Sequence, residues 1–207
     1  MPKLIERIRS MMGKTMSTPL PMPAPGSLSV GSLTQATKHK RKFDAIISLQ
    51  DPKARTNEKL VFDRGPIPPR LIVPCEDFDL ADRNVIVATA DQMAEIIAFG
   101  RDHAAGSLLV HCMHGVGRSA AAALAILADR AGPGNEAAAY AQLLALRPES
   151  TPNLVMVALA DDLLGSNGAL IAAVHAYEAA TPSKTIRRAN RLAYYEDNKS
   201  SYAHHPA

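Results

Sequence analysis

The stretch that most limits the fold of this chain is a short apolar run followed by a glycine-containing turn and an alanine-rich run. The apolar run is Ser107–Val110, the turn reads HCMHGVGRS over residues 111–119, and the alanine-rich run is Ala120–Ala128. This order is typical of a β-strand that turns directly into an α-helix. Backbone N–H groups at the amino end of a helix lack helical partners, and the helix dipole there favours an anion. The turn therefore predicts an anion-binding site.

Two side chains give this turn its chemistry. Cys112 enters the turn and Arg118 leaves it, so a thiolate and a guanidinium can face one bound oxyanion. The guanidinium offers a planar fork that suits two phosphate oxygens, and helix amino ends and neighbouring cations stabilise a reactive thiolate. Glycines in the turn permit the backbone to direct successive N–H groups inward. We therefore expect a phosphate cradle around Cys112, formed by Met113, His114, Gly115, Val116, Gly117 and Arg118.

The residues at either end of the cradle are expected to support it. Ser119 can donate a hydrogen bond to the sulfur and make it a better leaving group. His111 precedes the thiolate and can hold the loop or tune the cysteine. His111, Cys112 and His114 do not form a closed tetrahedral set of ligands, so no metal is expected. No organic cofactor is expected either.

The composition favours one soluble domain of ordinary size. The chain has 207 residues, of which 47% are hydrophobic and 21% charged, which is enough apolar material for a normal core. Its net charge of +3 gives little reason to expect a nucleic-acid partner. No run approaches the roughly 20 apolar residues that span a bilayer. Two cysteines, Cys75 and Cys112, fit a reducing compartment, so we expect a cytoplasmic protein.

Apolar runs that read as strands alternate with helical patterns early in the chain, and a block of helical patterns follows. The expected strands are Leu28–Val30, Phe43–Leu49, Leu71–Val73 and Leu108–His111. This order predicts a single α/β domain with a central, mostly parallel twisted sheet of about four to five strands flanked by helices. The cradle should lie at the strand-to-helix turn. Residues 1–26 are expected to be a flexible arm, 27–180 the domain, and 181–207 a basic, tyrosine-containing tail exposed to solvent.

A carboxylic acid is needed beside the cradle, because attack of a thiolate on phosphorus also requires a proton for the departing oxygen. The segment Cys75–Asp82, about thirty residues before Cys112, reads as an acidic loop after a strand. It supplies three candidates, Asp77, Asp79 and Asp82.

The stretch from His111 to Ser119 resembles the H-C-x5-R-S/T signature of the cysteine-dependent protein tyrosine and dual-specificity phosphatases. The resemblance extends from about Val30 to Gly165, and it is nearest to compact bacterial members. It implies that Cys112 is the nucleophile, that Arg118 clamps phosphate, and that the Ser119 hydroxyl helps to expel the thiolate.

The resemblance also implies an aspartate general acid on a loop that closes over substrate. Asp79 is preferred for this role, with Asp77 and Asp82 as alternatives. Arg147 and the pair Pro152-Asn153 are similar to the arginine and the Pro-Asn pair that brace the cradle in the family.

The implied function is hydrolysis of phosphotyrosine, with phosphoserine and phosphothreonine as further substrates, through a phosphocysteine intermediate at Cys112. The expected partner is a phosphorylated protein or a small phosphomonoester. The chain lacks tryptophan and a counterpart of the family's tyrosine loop, so strict phosphotyrosine specificity does not follow. Met113, His114 and Val116 stand where lipid phosphatases tend to place lysines, which weakens a phosphoinositide substrate without removing it.

Three other functions use a similar loop. Rhodanese-like sulfurtransferases and arsenate reductases also hold an activated cysteine, but neither explains the upstream aspartates or the Pro-Asn pair. A phosphate-binding pseudophosphatase is the non-enzymatic alternative. A separate hypothesis is a protective disulfide between Cys75 and Cys112, which requires that the strand before Cys75 adjoin the cradle.

Overall fold

Four parallel strands form the sheet at the centre of the protein, which is described here from a computed structural model covering residues 18–80, 82 and 84–205. The strand order is β1-β4-β2-β3. The inner strands β4 and β2 are almost wholly buried, which explains their continuous apolar sequences. The predicted α/β sheet is confirmed, with four strands. Their bounds are Leu28–Ser32 (β1), Ala45–Gln50 (β2), Arg70–Pro74 (β3) and Leu108–Cys112 (β4).

Helices cover both faces of this sheet. The alanine-rich helix α3 is buried along Arg118–Ala128, as its sequence predicts, and it packs against the sheet and the helices α2, α4 and α5. Helix α2 begins with a capping box between Thr89 and Gln92. The helices are Leu33–His39 (α1), Ala90–Asp102 (α2), Arg118–Ala131 (α3), Glu136–Leu146 (α4), Leu154–Leu164 (α5), Ala169–Ala180 (α6) and Pro182–Asn198 (α7). Within the described part of the chain, no helix is long and apolar enough to cross a membrane.

The described part of the predicted N-terminal arm is attached to the domain. Residues 1–17 lie outside the described residues. The Thr18 hydroxyl donates to Glu149 Oε2 at 2.9 Å, and the Thr18 carbonyl accepts from Arg147 at 3.1 Å. The arm is therefore attached to the domain from Thr18 onward.

The C-terminal segment differs from the predicted solvated tail. It forms helix α7, on which Lys184, Arg188 and Tyr195 are buried. Thr181 and Pro182 give the start of this helix, because proline suits the first helical position. The buried cations are tolerated because carbonyl and carboxylate oxygens surround them. Lys184, for example, donates to the carbonyls of Pro148 and Ser150.

An aromatic cluster of Phe78, Tyr195 and Tyr202 joins α7 to the loop after β3. The Phe78 and Tyr195 ring centroids lie 4.9 Å apart, and those of Phe78 and Tyr202 lie 5.2 Å apart. The Tyr195 hydroxyl is buried and has no hydrogen-bond partner among the described residues. The ring of Tyr195, rather than its hydroxyl, therefore contributes the stability.

We expect Tyr195→Ala to lower the free energy of unfolding by about 3–5 kcal/mol, because it removes a buried ring from a packed cluster. Tyr195→Phe keeps the ring and should change that free energy by less than about 1 kcal/mol. Urea unfolding followed by circular dichroism measures both variants. Equal stability of the alanine and phenylalanine variants would contradict the assigned role of the ring.

Candidate active site

The cradle, defined as residues 112–118, connects the end of β4 to the start of α3. Cys112 is buried, and its Sγ accepts a hydrogen bond from the Gly115 N–H at 3.2 Å. The Ser119 Oγ lies 3.2 Å from the same sulfur. Gly115 has a φ of +76°, and a Cβ there would clash with the backbone of Gly31 at β1. Only glycine fits this point, where the cradle passes close to the sheet.

Arg118 carries the positive charge of the cradle and is itself buried. Its Nη1 donates to the Cys75 carbonyl at 2.5 Å and lies 2.6 Å from Asp51 Oδ1. Its Nε is buried and has no acceptor among the described residues. Burial acts to lower the pKa of Arg118, but Asp77, the Cys112 sulfur and Asp51 outweigh it and raise that pKa. The guanidinium is thus fixed through Nη1 with an unpaired donor at Nε.

Sequence reasoning missed Asp51, the ion-pair partner of Arg118. Asp51 follows β2 directly, and β2 pairs with β4 in a parallel register. Because the carboxyl ends of parallel strands meet at one edge of a sheet, this position was a detectable signal. The Asp51 side chain is 35% exposed and lines the same pocket as Cys112 and Glu58.

The segment Thr151–Asn153 supports the cradle from outside. The Thr151 N–H donates to the Val116 carbonyl at 2.8 Å, and the Asn153 N–H donates to the Gly117 carbonyl at 3.3 Å. On the other side, the Leu33 N–H donates to the Met113 carbonyl at 3.2 Å. These bonds fix the loop backbone. Of the cradle side chains, Met113 and Val116 are half-buried and His114 is exposed.

Asn153 and Arg147 act at different places. The Asn153 Nδ2 donates to Asp77 Oδ1 at 3.1 Å, and its Oδ1 caps α5 by accepting from the Met156 N–H. Arg147 instead donates to Gln35 Oε1 and to the Thr18 carbonyl, each at 3.1 Å. Asn153 therefore touches both the cradle and an aspartate, whereas Arg147 braces α1 and the segment before β1.

His111 belongs to a buried chain of hydrogen bonds. The Arg70 Nε donates to Ser48 Oγ at 2.9 Å, and Ser48 Oγ lies 2.7 Å from His111 Nε2. Arginine can only donate, so Ser48 Oγ accepts from Arg70, and the Ser48 hydroxyl and the His111 ring share the second hydrogen bond. Burial, together with Arg70, lowers the pKa of His111 to about 4. His111 is therefore neutral at physiological pH.

The three candidate acids lie in different surroundings. Asp77 lies against the cradle at Gly117, where a Cβ would clash with the Asp77 carboxylate. Burial acts to raise the pKa of Asp77, but Arg191, Arg118 and the Asn153 amide outweigh it and hold that pKa below its usual range. Asp82 instead pairs with Lys199, on the 3₁₀ turn Lys199–Ser201 that follows α7.

The preference for Asp79 as general acid is not supported by its surroundings. Its side chain is fully buried, and its oxygens accept hydrogen bonds from Arg188 Nη1 at 2.7 Å and Arg191 Nε at 2.7 Å. The Leu154 N–H also donates to Asp79 Oδ1 at 2.9 Å. These bonds direct the Asp79 carboxylate toward α7 and the start of α5. Asp77 is the aspartate beside the cradle.

The hypothesis of a disulfide between Cys75 and Cys112 conflicts with the strand order. Cys75 follows β3, and β2 lies between β3 and β4. The strand before Cys75 therefore does not adjoin the strand that carries Cys112, as the hypothesis requires. Both cysteines are free and buried. Burial raises the pKa of the Cys75 thiol to about 12.

The chain is similar in structure to a human DUSP protein and to a human tyrosine phosphatase-like protein. It matches human DUSP28 with a TM-score of 0.51 and 20% identity, over 78% of this chain and 99% of that chain. It matches a human tyrosine phosphatase-like serine/threonine/tyrosine-interacting protein with a TM-score of 0.50 and 18% identity, over 70% and 93% of the two chains. No protein-family model and no curated protein matches the chain. The chain therefore has the fold of the cysteine-dependent tyrosine and dual-specificity phosphatases, which confirms the resemblance at the level of the fold.

The low pKa of His111 predicts a pH-dependent stability. Between pH 6.5 and about 4 the unfolded chain binds a proton at this residue that the folded protein does not. The free energy of unfolding should therefore fall with decreasing pH in this window, by about 1.4 kcal/mol per pH unit from His111. His111→Gln should lack this contribution, which urea unfolding at several pH values measures. Parallel pH profiles for the two proteins would contradict it.

Proposed function

We propose that the protein is a cysteine-dependent phosphomonoesterase that acts on phosphotyrosine in proteins, with phosphoserine and phosphothreonine as further substrates. One observation carries the proposal: the buried Arg118 Nε has no acceptor among the described residues, in a loop that also holds the Cys112 sulfur. A buried, unpaired cationic donor is costly unless an anion completes it. A phosphoryl group is a suitable anion for this donor, because a guanidinium can donate two parallel hydrogen bonds to two phosphate oxygens.

The environment of Cys112 supports its role as the nucleophile. The Gly115 N–H donates to the sulfur, and the Ser119 hydroxyl lies within hydrogen-bond reach. The sulfur also lies at the amino end of α3, where the helix dipole favours negative charge. In the first step the sulfur attacks phosphorus, the bond from phosphorus to the leaving oxygen breaks, and phosphocysteine forms.

Asp77 is the general acid in this proposal, in place of Asp79. It donates its proton to the leaving oxygen in the first step. In the second step its carboxylate takes a proton from the water that attacks phosphocysteine, and the sulfur leaves with a hydrogen bond from Ser119. The cations that hold the pKa of Asp77 low include Arg118. A bound phosphoryl dianion neutralises Arg118 and repels the Asp77 carboxylate, so substrate binding itself favours the protonated acid.

The charge around the pocket favours a phosphoprotein over a phosphoinositide. Asp51 and Glu58 line the pocket that contains Cys112 and Arg118. Their carboxylates repel the additional phosphates of a polyanionic lipid headgroup. A phosphorylated side chain carries one phosphate and avoids this repulsion. A rate panel of phosphotyrosine, phosphoserine and phosphothreonine peptides and a phosphoinositide tests the preference. Faster turnover of the lipid would overturn it.

Cys112→Ser tests the nucleophile. Hydrolysis of p-nitrophenyl phosphate should fall about 10³-fold or more, because the nucleophile of the covalent step is lost. Binding of inorganic phosphate should persist, since Arg118 and the cradle backbone remain. Steady-state kinetics and phosphate titration measure the two effects. Near-normal turnover by this variant would contradict the mechanism.

Assays of the wild-type protein with thiosulfate, phosphoesters and vanadate distinguish the remaining functions. Transfer of sulfur from thiosulfate without phosphatase activity would identify a sulfurtransferase. Vanadate binding without turnover of any phosphoester would identify a phosphate-binding protein instead of an enzyme.

Asp77→Asn should lower kcat for phenyl phosphate about 10²-fold or more, because phenol is a poor leaving group that needs the proton. The effect on p-nitrophenyl phosphate should be smaller, since nitrophenolate leaves more easily. Asp82→Asn is the matched control, because Asp82 carries the same charge but pairs with Lys199. A loss of activity in the Asp82 variant with an unaffected Asp77 variant would reverse the assignment.

A further inference from the structure

The loop that carries Asp77, defined as residues 75–80 and called the acid loop, is attached to the C-terminal part of the chain at residues on both sides of Asp77. Glu76 Oε1 accepts from the Ala203 N–H at 2.7 Å. Phe78 packs against Tyr195 and Tyr202. Asp79 is bound by arginines of α7. The C-terminal part of the chain therefore holds the acid loop at Glu76, Phe78 and Asp79.

The attachment at Asp79 is a closed group of four buried charges. Arg191 Nη2 donates to Asp79 Oδ1 at 2.6 Å, in addition to the contacts of Arg188 Nη1 and Arg191 Nε with Oδ2. Arg188 also forms a fork with Glu178 on α6, with Nη2 at 2.6 Å and Nε at 3.1 Å. Two arginines and two carboxylates balance one another. Their side chains are at most 13% exposed, so this contact is poorly screened by water.

Asp77 lies between the attached residues and is directed to the other side. Its neighbours Glu76 and Phe78 contact the C-terminal residues, whereas its own carboxylate lies against Gly117 and accepts from Asn153. Fixing the neighbours of Asp77 fixes the side on which its carboxylate points.

The same helix also holds the segment that supports the cradle. Arg191 Nη1 donates to the Thr151 carbonyl, and Arg188 Nη2 donates to the Pro152 carbonyl, each at 2.9 Å. The N–H groups of Thr151 and Asn153 in turn bind the cradle carbonyls. One helix is thus bonded both to the acid loop and to the support of the cradle.

We propose that α7 is a permanent brace of the active site, in which Arg188 and Arg191 are positioning residues that hold Asp79 and thereby keep Asp77 beside the cradle before substrate arrives. This inference rests on the proposed function for its catalytic consequence. The resemblance to the family implied a loop that closes over substrate, whereas in this proposal Asp77 already lies beside the cradle before substrate binds. Preorganisation of this kind matters because a displacement of about 1 Å can cost about 10²-fold in rate.

The test compares two substrates that differ in how much they need the proton. Arg191→Gln should lower kcat for phenyl phosphate about tenfold or more, with a smaller effect on p-nitrophenyl phosphate. Inhibition by vanadate should stay within about twofold of wild type, because Arg118 and the cradle remain. Arg191→Lys should restore part of the phenyl phosphate rate. The measured quantity is the kcat for p-nitrophenyl phosphate divided by the kcat for phenyl phosphate. In the double variant Asp79→Asn/Arg191→Gln this ratio should be no larger than in Arg191→Gln, because both substitutions break the same attachment.

Arg187→Gln is the matched control. It removes the same charge from the same helix, but Arg187 donates to the Glu149 carbonyl and not to the acid loop. Its ratio of kcat values should equal that of wild type. Suppose that Arg191→Gln keeps the wild-type ratio of kcat values while Asp77→Asn changes it. That result would overturn the brace and leave the proposed function standing. If Arg191→Gln does not fold, as judged by thermal melting, Arg191→Lys and Asp79→Asn are judged by the same ratio.

Hydrogen exchange separates the brace from the proposed function. The amides of residues 76–79 should exchange about tenfold faster in Arg191→Gln than in wild type or Arg187→Gln, whether or not the protein is a phosphatase. Unchanged exchange would overturn the brace. If the wild-type protein hydrolyses no phosphoester while the amides of Arg191→Gln still exchange faster, the proposed function is overturned and the brace stands.

Discussion

The buried carboxylate of Asp79 is the charge on which the arrangement of α7, the acid loop and the start of α5 depends. An isolated carboxylate would not stay ionised in this interior. Arg188, Arg191 and the Leu154 N–H together supply its donors. Removing one partner of such a buried group costs about 3–5 kcal/mol, because the remaining charge is left uncompensated. The elements that meet at Asp79 are therefore held in one relative position.

The cradle depends on a different constraint, which is close approach between backbones. Gly115 lies against Gly31 of β1, and Gly117 lies against the Asp77 carboxylate. Side chains at either position would push the loop away from its neighbours. The carbonyls of the cradle are held by amides from α1 and from Thr151–Asn153. The loop is thus shaped by its surroundings before any anion binds.

The electrostatics of the site follow from these two constraints. The Arg118 guanidinium is held through Nη1 by Asp51 and the Cys75 carbonyl. Asp77 is kept ionised at rest by cations on both sides, Arg118 in the cradle and Arg191 on α7. Positive and negative groups therefore alternate from the sulfur to α7. In the proposed function, a phosphoryl group bound at Arg118 would change this balance of charge at Asp77.

The sequence by itself determined the parallel α/β sheet, the turn from β4 into α3, and the presence of Cys112, Arg118 and Ser119 in one loop. These features depend on neighbours in the chain: continuous apolar strands, glycines in a turn, and an alanine-rich helix. Only the tertiary structure showed that Asp77 lies against the cradle and Asp79 against α7, because that difference depends on elements that are distant in sequence. It also showed that residues 182–198 form a helix packed on the domain through Lys184, Arg188 and Tyr195, although Thr181-Pro182 was a readable start signal. A run with Lys184, Arg188 and Arg191 is typical of a solvent-exposed segment. The carboxylates and carbonyls that pair with these charges are distant in sequence, and only the fold brings them close.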